Sequence, residues 1–195
     1  NVLPEADCYV YSDAWLDNFP RVVERARRSG KPTLSYAEAL GSVANRYYLI
    51  ALCGAHGKTT TTAMVIDVLE AAGLDPTGIV GSLRTKTKSN FRAGKSKYFV
   101  VEADEYRRHF LTFEPEILVI TNIDADHLDY YKDLADIQDA FTELAGHVPE
   151  RGFIICDHRA ENGRPVVAGV KATIIDYTKL IDPLLTLRAP GLHNL

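Results

Sequence analysis

The run Gly54-Ala55-His56-Gly57-Lys58-Thr59-Thr60 holds the densest chemistry in the chain. Glycines let a backbone approach an anion and turn successive N–H groups toward it. A lysine can hold the outer phosphates, and the threonine after it can offer its hydroxyl to magnesium. Gly54, His56, Gly57, Lys58, Thr59 and Thr60 are therefore the candidate nucleotide cradle, with Lys58 as a catalytic cation. The spacing is a shorter variant of G-x-x-x-x-G-K-T, since Leu52 stands at the first position of that pattern.

Two acidic stretches follow, Glu102-Ala103-Asp104-Glu105 and Asn122-Ile123-Asp124-Ala125-Asp126-His127. Taken singly, each is more readily a solvated turn or a helix cap. Each follows an apolar run of strand length, however, and in a parallel sheet the loops after strands open on the carboxyl edge, where ligands bind. Carboxylates facing bound phosphate need divalent cations between them. This points to Glu102 as the first metal ligand, beside Thr59, and to His127 as ligand to a second metal or partner of a phosphoryl oxygen. His109, His147 and His158 lack such a setting and read as structural or exposed, and Tyr130-Tyr131 as packing.

The elements that must position these residues alternate in the α/β manner. Residues 47–53 form a continuous apolar strand, and the helix at 59–72 carries an apolar stripe of Val65, Val68, Leu69 and Ala72 before Gly73 ends it. Further strands are expected at 78–80, 98–102, 118–121, 153–156 and 173–176. A helix at 134–145 shows Leu134, Ile137, Phe141 and Leu144 on one face. Near-continuous apolar strands between helices predict a mainly parallel sheet covered on both sides. Ahead of it lie short strands at 8–11 and 32–35 and helices at 18–29 and 36–44. This is too little to bury a core alone and reads as the end of a domain that begins elsewhere, with the boundary near Asn45.

Composition narrows the class. With 46% hydrophobic and 25% charged residues the chain can build a sizeable core, which excludes a disordered protein. Its apolar runs fall far short of the roughly 18 residues of a membrane span, and no signal-like leader precedes them, so a cytoplasmic protein is expected. A net charge of -4 argues against general nucleic-acid binding. The widely spaced Cys8, Cys53 and Cys156 read as reduced core thiols. Residues 84–97 carry Arg84, Lys86, Lys88, Arg92, Lys95 and Lys97 without an acid, either a solvated face or a contact surface for an anionic substrate.

Four motifs occur here in the order found in the Mur ligases: Gly54 through Thr61, Glu102-Ala103-Asp104-Glu105-Tyr106, Thr121 through Asp129, and Pro190-Gly191-Leu192-His193-Asn194. The chain resembles that family over nearly its whole length. The resemblance implies a P-loop-containing central domain at 46–195, preceded at 1–45 by the C-terminal part of a Rossmann-like, UDP-sugar-binding N-terminal domain. The family's C-terminal, amino-acid-binding domain is then expected to be missing, and this piece alone inactive. Within the family the wording is most similar to the branch that joins L-alanine to UDP-N-acetylmuramate, and next to the murein-peptide recycling ligases. The implied reaction is ATP- and Mg2+-dependent, through an acyl phosphate, in peptidoglycan synthesis. By resemblance, Lys58 and Thr59 serve phosphate and magnesium, Glu102 the first metal, His127 the second, and His193 and Asn194 the adenine side. Ala55 replaces the family's usual threonine, Arg107 an aspartate, and Thr142 a lysine that other branches carbamylate and the alanine-adding branch lacks. A P-loop kinase or simple NTPase, or a non-catalytic nucleotide-binding module, would share the cradle and stay open at this point.

Overall fold

The computed structural model describes residues 3–180, which divide between Val43 and Ala44 into two compact units. In the first, β1 (Tyr9–Tyr11) pairs in parallel with β2 (Thr33–Ser35). Between them run α1 (Asp13–Asn18) and α2 (Pro20–Arg28). The single helix expected at 18–29 therefore starts later and has a short helix before it, broken at Phe19 (φ -135°, ψ 52°) ahead of Pro20. Proline is tolerated in a first helical turn but not deeper, which forces that break. The third helix, α3 (Tyr36–Ala44), opens on a reciprocal cap. The Glu38 N–H donates to Ser35 Oγ (3.2 Å), and the Ser35 N–H donates to Glu38 Oε2 (2.7 Å).

The second unit is a seven-stranded sheet of order β5-β4-β6-β3-β7-β8-β9. Its strands are β3 (Tyr48–Cys53), β4 (Thr77–Ile79), β5 (Phe91–Arg92), β6 (Tyr98–Glu102), β7 (Ile117–Ile120), β8 (Phe153–Cys156) and β9 (Thr173–Asp176). All pairs are parallel except β4–β5, where a two-residue strand not foreseen in the sequence closes one edge. Leu49 through Cys53 are buried in succession, so both faces of β3 are covered, as a central parallel strand requires. The chain leaves β3 toward β4 on one side, while the strand on the other side is β7. The loops after β3 and β7 therefore diverge at a topological switch point, where open α/β sheets place ligands.

Helix α4 (Lys58–Ala71) runs directly from the glycine-rich turn. Its buried face is Thr62 and Ile66, with Ile66 packed among Ile50, Leu52, Val80 and Val100. The stripe read from the sequence is rotated relative to this face: Val65 and Leu69 are half-buried, but Val68 is 65% exposed and Ala72 is exposed. The sheet meets α4 along 62, 66 and 69, a spacing that the apolar type of Val68 obscured. Helix α5 (Leu134–Gly146) starts at Asp133, whose side chain accepts from the Asp136 N–H (2.9 Å), and buries Ile137, Phe141 and Leu144 as expected. Cys53 and Cys156 are buried core thiols, and burial pushes both upward, Cys156 to about 11. Cys8 is exposed, which corrects its reading as a core residue. Among the described residues no helix is long and apolar enough to cross a membrane.

The basic run is internally committed. Arg84, its side chain 3% exposed, lies 2.5 Å from Asp67 and 2.7 Å from Glu70. Arg92 reaches Glu70 (2.8 Å) and Asp75 (2.6 Å), and the Lys95 N–H donates to Asp75. Its acids come from α4 and the turn after it, beyond the reach of local charge counting. The reading of an anionic-substrate surface is therefore corrected for Arg84 and Arg92, which instead hold the β4–β5 edge to α4. Hydrogen bonds from Arg84 and then Arg92 hold the Glu70 carboxyl at about 2, below its ordinary 4.5. A depressed carboxylate adds stability that is fully present above its unfolded value and is lost as pH falls toward the folded one. Glu70→Gln should accordingly lose stability at neutral pH and show a flatter loss between pH 4.5 and 2 in urea unfolding. Parallel curves for the two proteins would refute this role.

Candidate active site

The turn from β3 to α4 reverses direction by way of Gly54 (φ +132°) and Gly57 (φ +80°). A Cβ on Gly54 would lie 2.2 Å from Thr121 Oγ1 and 2.7 Å from the Asn122 carbonyl, so the turn is pressed against the loop leaving β7. Asn122 ties the two together. Its side chain accepts from the His56 N–H (2.9 Å) and donates to the His56 carbonyl (3.0 Å), while its own carbonyl accepts from the Ala55 N–H (3.2 Å). The Thr121 hydroxyl donates to the same His56 carbonyl (2.6 Å). Neither residue carried a role in the sequence reading. The available signal was an asparagine, with both donor and acceptor, directly after a strand at the switch point. The tether uses the backbone of residue 55, so Ala55 in place of threonine leaves it intact.

The first intrahelical bond of α4 runs from the Thr61 N–H to Gly57 O (2.9 Å). The amides of Lys58, Thr59 and Thr60 lie ahead of that bond and have no acceptor within the helix, at its partly positive end. This is the geometry of an anion site. Beside Asn122 opens a cavity of about 270 Å³, lined by Thr121, Ile123, Cys156, Asp157 and Tyr177 among others.

Around the turn, the expected side chains gather into two clusters. In one, the Thr59 hydroxyl donates to Glu102 Oε1 (2.8 Å) and the Gly81 N–H donates to Glu102 Oε2 (2.5 Å). In the other, Lys58 Nζ donates to Gly54 O (2.6 Å) and to Glu105 Oε1 (2.7 Å), and His127 Nε2 stands 3.6 Å from that same Glu105 oxygen. Among the described residues, ligand atoms of Asp104, Glu105 and His127 all lie within 4.8 Å of one another, and Glu102 is outside that group. Glu105 is the residue that the sequence reading passed over. It is 2% exposed, and its Oε2 is buried with no hydrogen-bond partner. Burial pushes its carboxyl upward against the opposing hydrogen bond from Lys58.

The chain is kinked just after Glu105. It continues into a 3-10 stretch (Tyr106–Thr112) in which Arg107 and Arg108 take φ of +51° and +58°. Arg107 lies over the Tyr106 ring (5.4 Å), and Tyr106 packs 5.0 Å from the His127 ring. His127 itself has φ +53°, held by bonds from the Tyr130 and Tyr131 N–H groups to its carbonyl (both 2.9 Å). Tyr131 is buried and its hydroxyl donates to the Glu105 carbonyl, so packing is its observed role. His147 bonds Phe113 O (2.9 Å) and is structural, and His158 lies 3.3 Å from Asp176. His109, however, sits 3.8 Å from Asp104 at the margin of the second cluster, closer to the site than its sequence setting implied. Thr142 donates to Gln138 O within α5. His193 and Asn194 lie outside the described residues.

Known proteins are similar to this chain in sequence and fold. The Mur ligase middle domain matches residues 52–180. Among curated relatives, the UDP-N-acetylmuramate–L-alanine ligase of Agathobacter rectalis is 40% identical over 178 residues, covering 91% of this chain and 39% of that protein. The enzyme of that name from Clostridium novyi is 47% identical over 156 residues, covering 80% and 34%. The chain thus spans about two fifths or less of the length of these relatives. Two solved structures are also similar. One is the UDP-N-acetylmuramate:L-alanyl-γ-D-glutamyl-meso-diaminopimelate ligase of Neisseria meningitidis, with TM-score 0.78, 31% identity, and coverage of 87% of this chain and 57% of that one. The other is the UDP-N-acetylmuramate–alanine ligase of Thermotoga maritima, with TM-score 0.72, 27% identity, and coverage of 84% and 38%. Since the matched stretch begins within β3 and takes in the glycine-rich turn and both acidic loops, this chain belongs to the Mur ligase family.

Proposed function

We propose that the protein to which this chain belongs is an ATP-dependent ligase that joins L-alanine to the lactyl carboxylate of UDP-N-acetylmuramate through an acyl phosphate, in the cytoplasm. The observation that carries this reading is the convergence of Lys58, Thr59, Glu102 and His127 on the N-terminus of α4. The names of the curated relatives supply the substrates. Residues 46–195 then form the ATP-binding domain, and residues 1–45 belong to the UDP-sugar-binding domain.

Carboxylate attack on a phosphoryl group brings two anions together, so the site must supply positive charge and aimed donors. The amides of residues 58–60 hold the phosphates, and Lys58 neutralises the oxygens that gain charge. The hydroxyl of Thr59 and the carboxylate of Glu102, already 2.8 Å apart, are an oxygen donor set suited to Mg2+. Glu105, whose buried Oε2 has no hydrogen-bond partner and whose Oε1 lies 3.6 Å from His127 Nε2, fits a second cation. Bound Mg2+ would screen the phosphates from the attacking carboxylate and stabilise the leaving ADP. Asn122 keeps the turn closed on the β7 loop, so that the donors are in place before substrate arrives.

A second reading, ligation of a preformed peptide to the same sugar, is favoured by the likeness to the Neisseria enzyme. The test is phosphate release by the full-length protein with ATP, UDP-N-acetylmuramate and a panel of acceptors. L-alanine-dependent release is expected. Release that requires L-alanyl-γ-D-glutamyl-meso-diaminopimelate selects the second reading, and release indifferent to any acceptor would leave only a nucleotide hydrolase.

A further inference from the structure

The Lys58–Glu105 pair lies where the proposed nucleotide chemistry competes for Lys58. The lysine side chain is 14% exposed and the glutamate 3%. Lys58 has three ammonium protons, and Gly54 O and Glu105 Oε1 take two of them. One proton is left for a terminal phosphate, and a second contact to it requires Lys58 to loosen its hold on Glu105. That would strand a buried carboxylate, a costly state, beside an incoming polyanion that repels it. A replacement cation resolves both difficulties.

The surroundings of Glu105 are prepared for one. Its Oε2 is buried and has no hydrogen-bond partner, whereas buried polar atoms are ordinarily satisfied. Ligand atoms of Asp104 and His127 lie within 4.8 Å of those of Glu105 and of each other. Glu102 stands apart from this group, its two oxygens accepting from the Thr59 hydroxyl and the Gly81 N–H.

We propose that Glu105 is an exchange ligand: it holds Lys58 before nucleotide binds, then passes to a divalent cation shared with His127 and Asp104 as Lys58 moves onto phosphate. Glu105 is thus a positioning residue acting through Lys58, and it couples nucleotide binding to occupancy by the second cation. The inference rests on the proposed nucleotide site. Gly54 O remains as the pivot on which Lys58 turns. Coupling of this kind is reciprocal, so nucleotide must strengthen cation binding as much as cation strengthens nucleotide binding.

The experiment counts bound Mn2+ by electron paramagnetic resonance in the full-length protein, with and without a non-hydrolysable ATP analogue, and measures analogue affinity with and without Mn2+. In the wild type the analogue should raise the tightly bound count to about two. Glu105→Gln should bind the analogue without Mn2+ at least as well as wild type, since the repelling charge is gone, yet hold only about one Mn2+ with the analogue present. Thermal melts confirm folding. If Glu105→Gln does not fold, Glu105→Asp carries the same test through a weakened second Mn2+. A variant that keeps both Mn2+ ions at wild-type affinity overturns the exchange. A wild type that binds no analogue overturns the nucleotide site itself, and the exchange with it.

Discussion

Lys58→Ala should lower acceptor-dependent phosphate release by the full-length protein about 10²–10³-fold or more, the usual loss when a preorganised charge donor is removed from a developing anion. It should also destabilise the fold. Glu105, 2% exposed, would lose its counter-charge, and breaking a buried pair by deleting one partner costs about 3–5 kcal/mol. These two effects can be separated. In Lys58→Ala/Glu105→Gln the buried charge is removed together with its partner, so most of the lost stability should return while phosphate release stays low. Recovery of activity along with stability would show that Lys58 serves folding and not the phosphate.

Gly54→Ala should be the most damaging one-methyl change in the turn. At φ +132° a side chain is strained wherever it points, at a cost of roughly 1–3 kcal/mol. Here the new Cβ also meets Thr121 Oγ1 at 2.2 Å and the Asn122 backbone at 2.7 Å and 3.0 Å. The Thr121 hydroxyl could rotate away only by giving up the His56 carbonyl, and the Asn122 backbone cannot rotate at all. A total of about 3 kcal/mol or more corresponds to a fall in Tm of roughly 6–12 °C for a chain of this size, with loss of analogue binding because the tether opens. Gly73→Ala is the control. That residue has φ +74° but nothing within 4 Å, so backbone strain alone, roughly 1–2 kcal/mol, should apply. Equal damage at both positions would show that the contact with the β7 loop is unimportant.

Much of this molecule was legible in one dimension. Strands β3, β6 and β8 and helix α5 announce themselves by unbroken apolar runs or a 3.6-residue period, because each buries a regular face and burial follows side-chain type. The glycine-rich turn was legible for another reason: its chemistry is local. Glycines, lysine and threonine are neighbours in the chain, and the helix they start supplies the remaining donors. That Glu102 and His127 end on the same edge followed from the parallel order of the strands, which sends every following loop to one side.

What eluded the sequence was decided by contacts between segments far apart in the chain. Residues 84–97 carry only cations, and the acids that neutralise Arg84 and Arg92 are Asp67, Glu70 and Asp75, brought near by the packing of β4–β5 against α4. Beyond the end of β6 at Glu102 the alternation of a strand no longer says which way a side chain points. Glu105 lies past that end, in irregular backbone ahead of the left-handed Arg107 and Arg108, which hid it as the residue that pairs with Lys58 across 47 positions. Asn122 was obscured in the same way, since its partners at Ala55 and His56 are neighbours only once β3 and β7 lie side by side. The amino-acid sequence by itself determined the α/β class, the glycine-rich turn and the family. Only the tertiary structure decided which carboxylate meets which cation, because charge pairing depends on distance in space and carries no period along the chain.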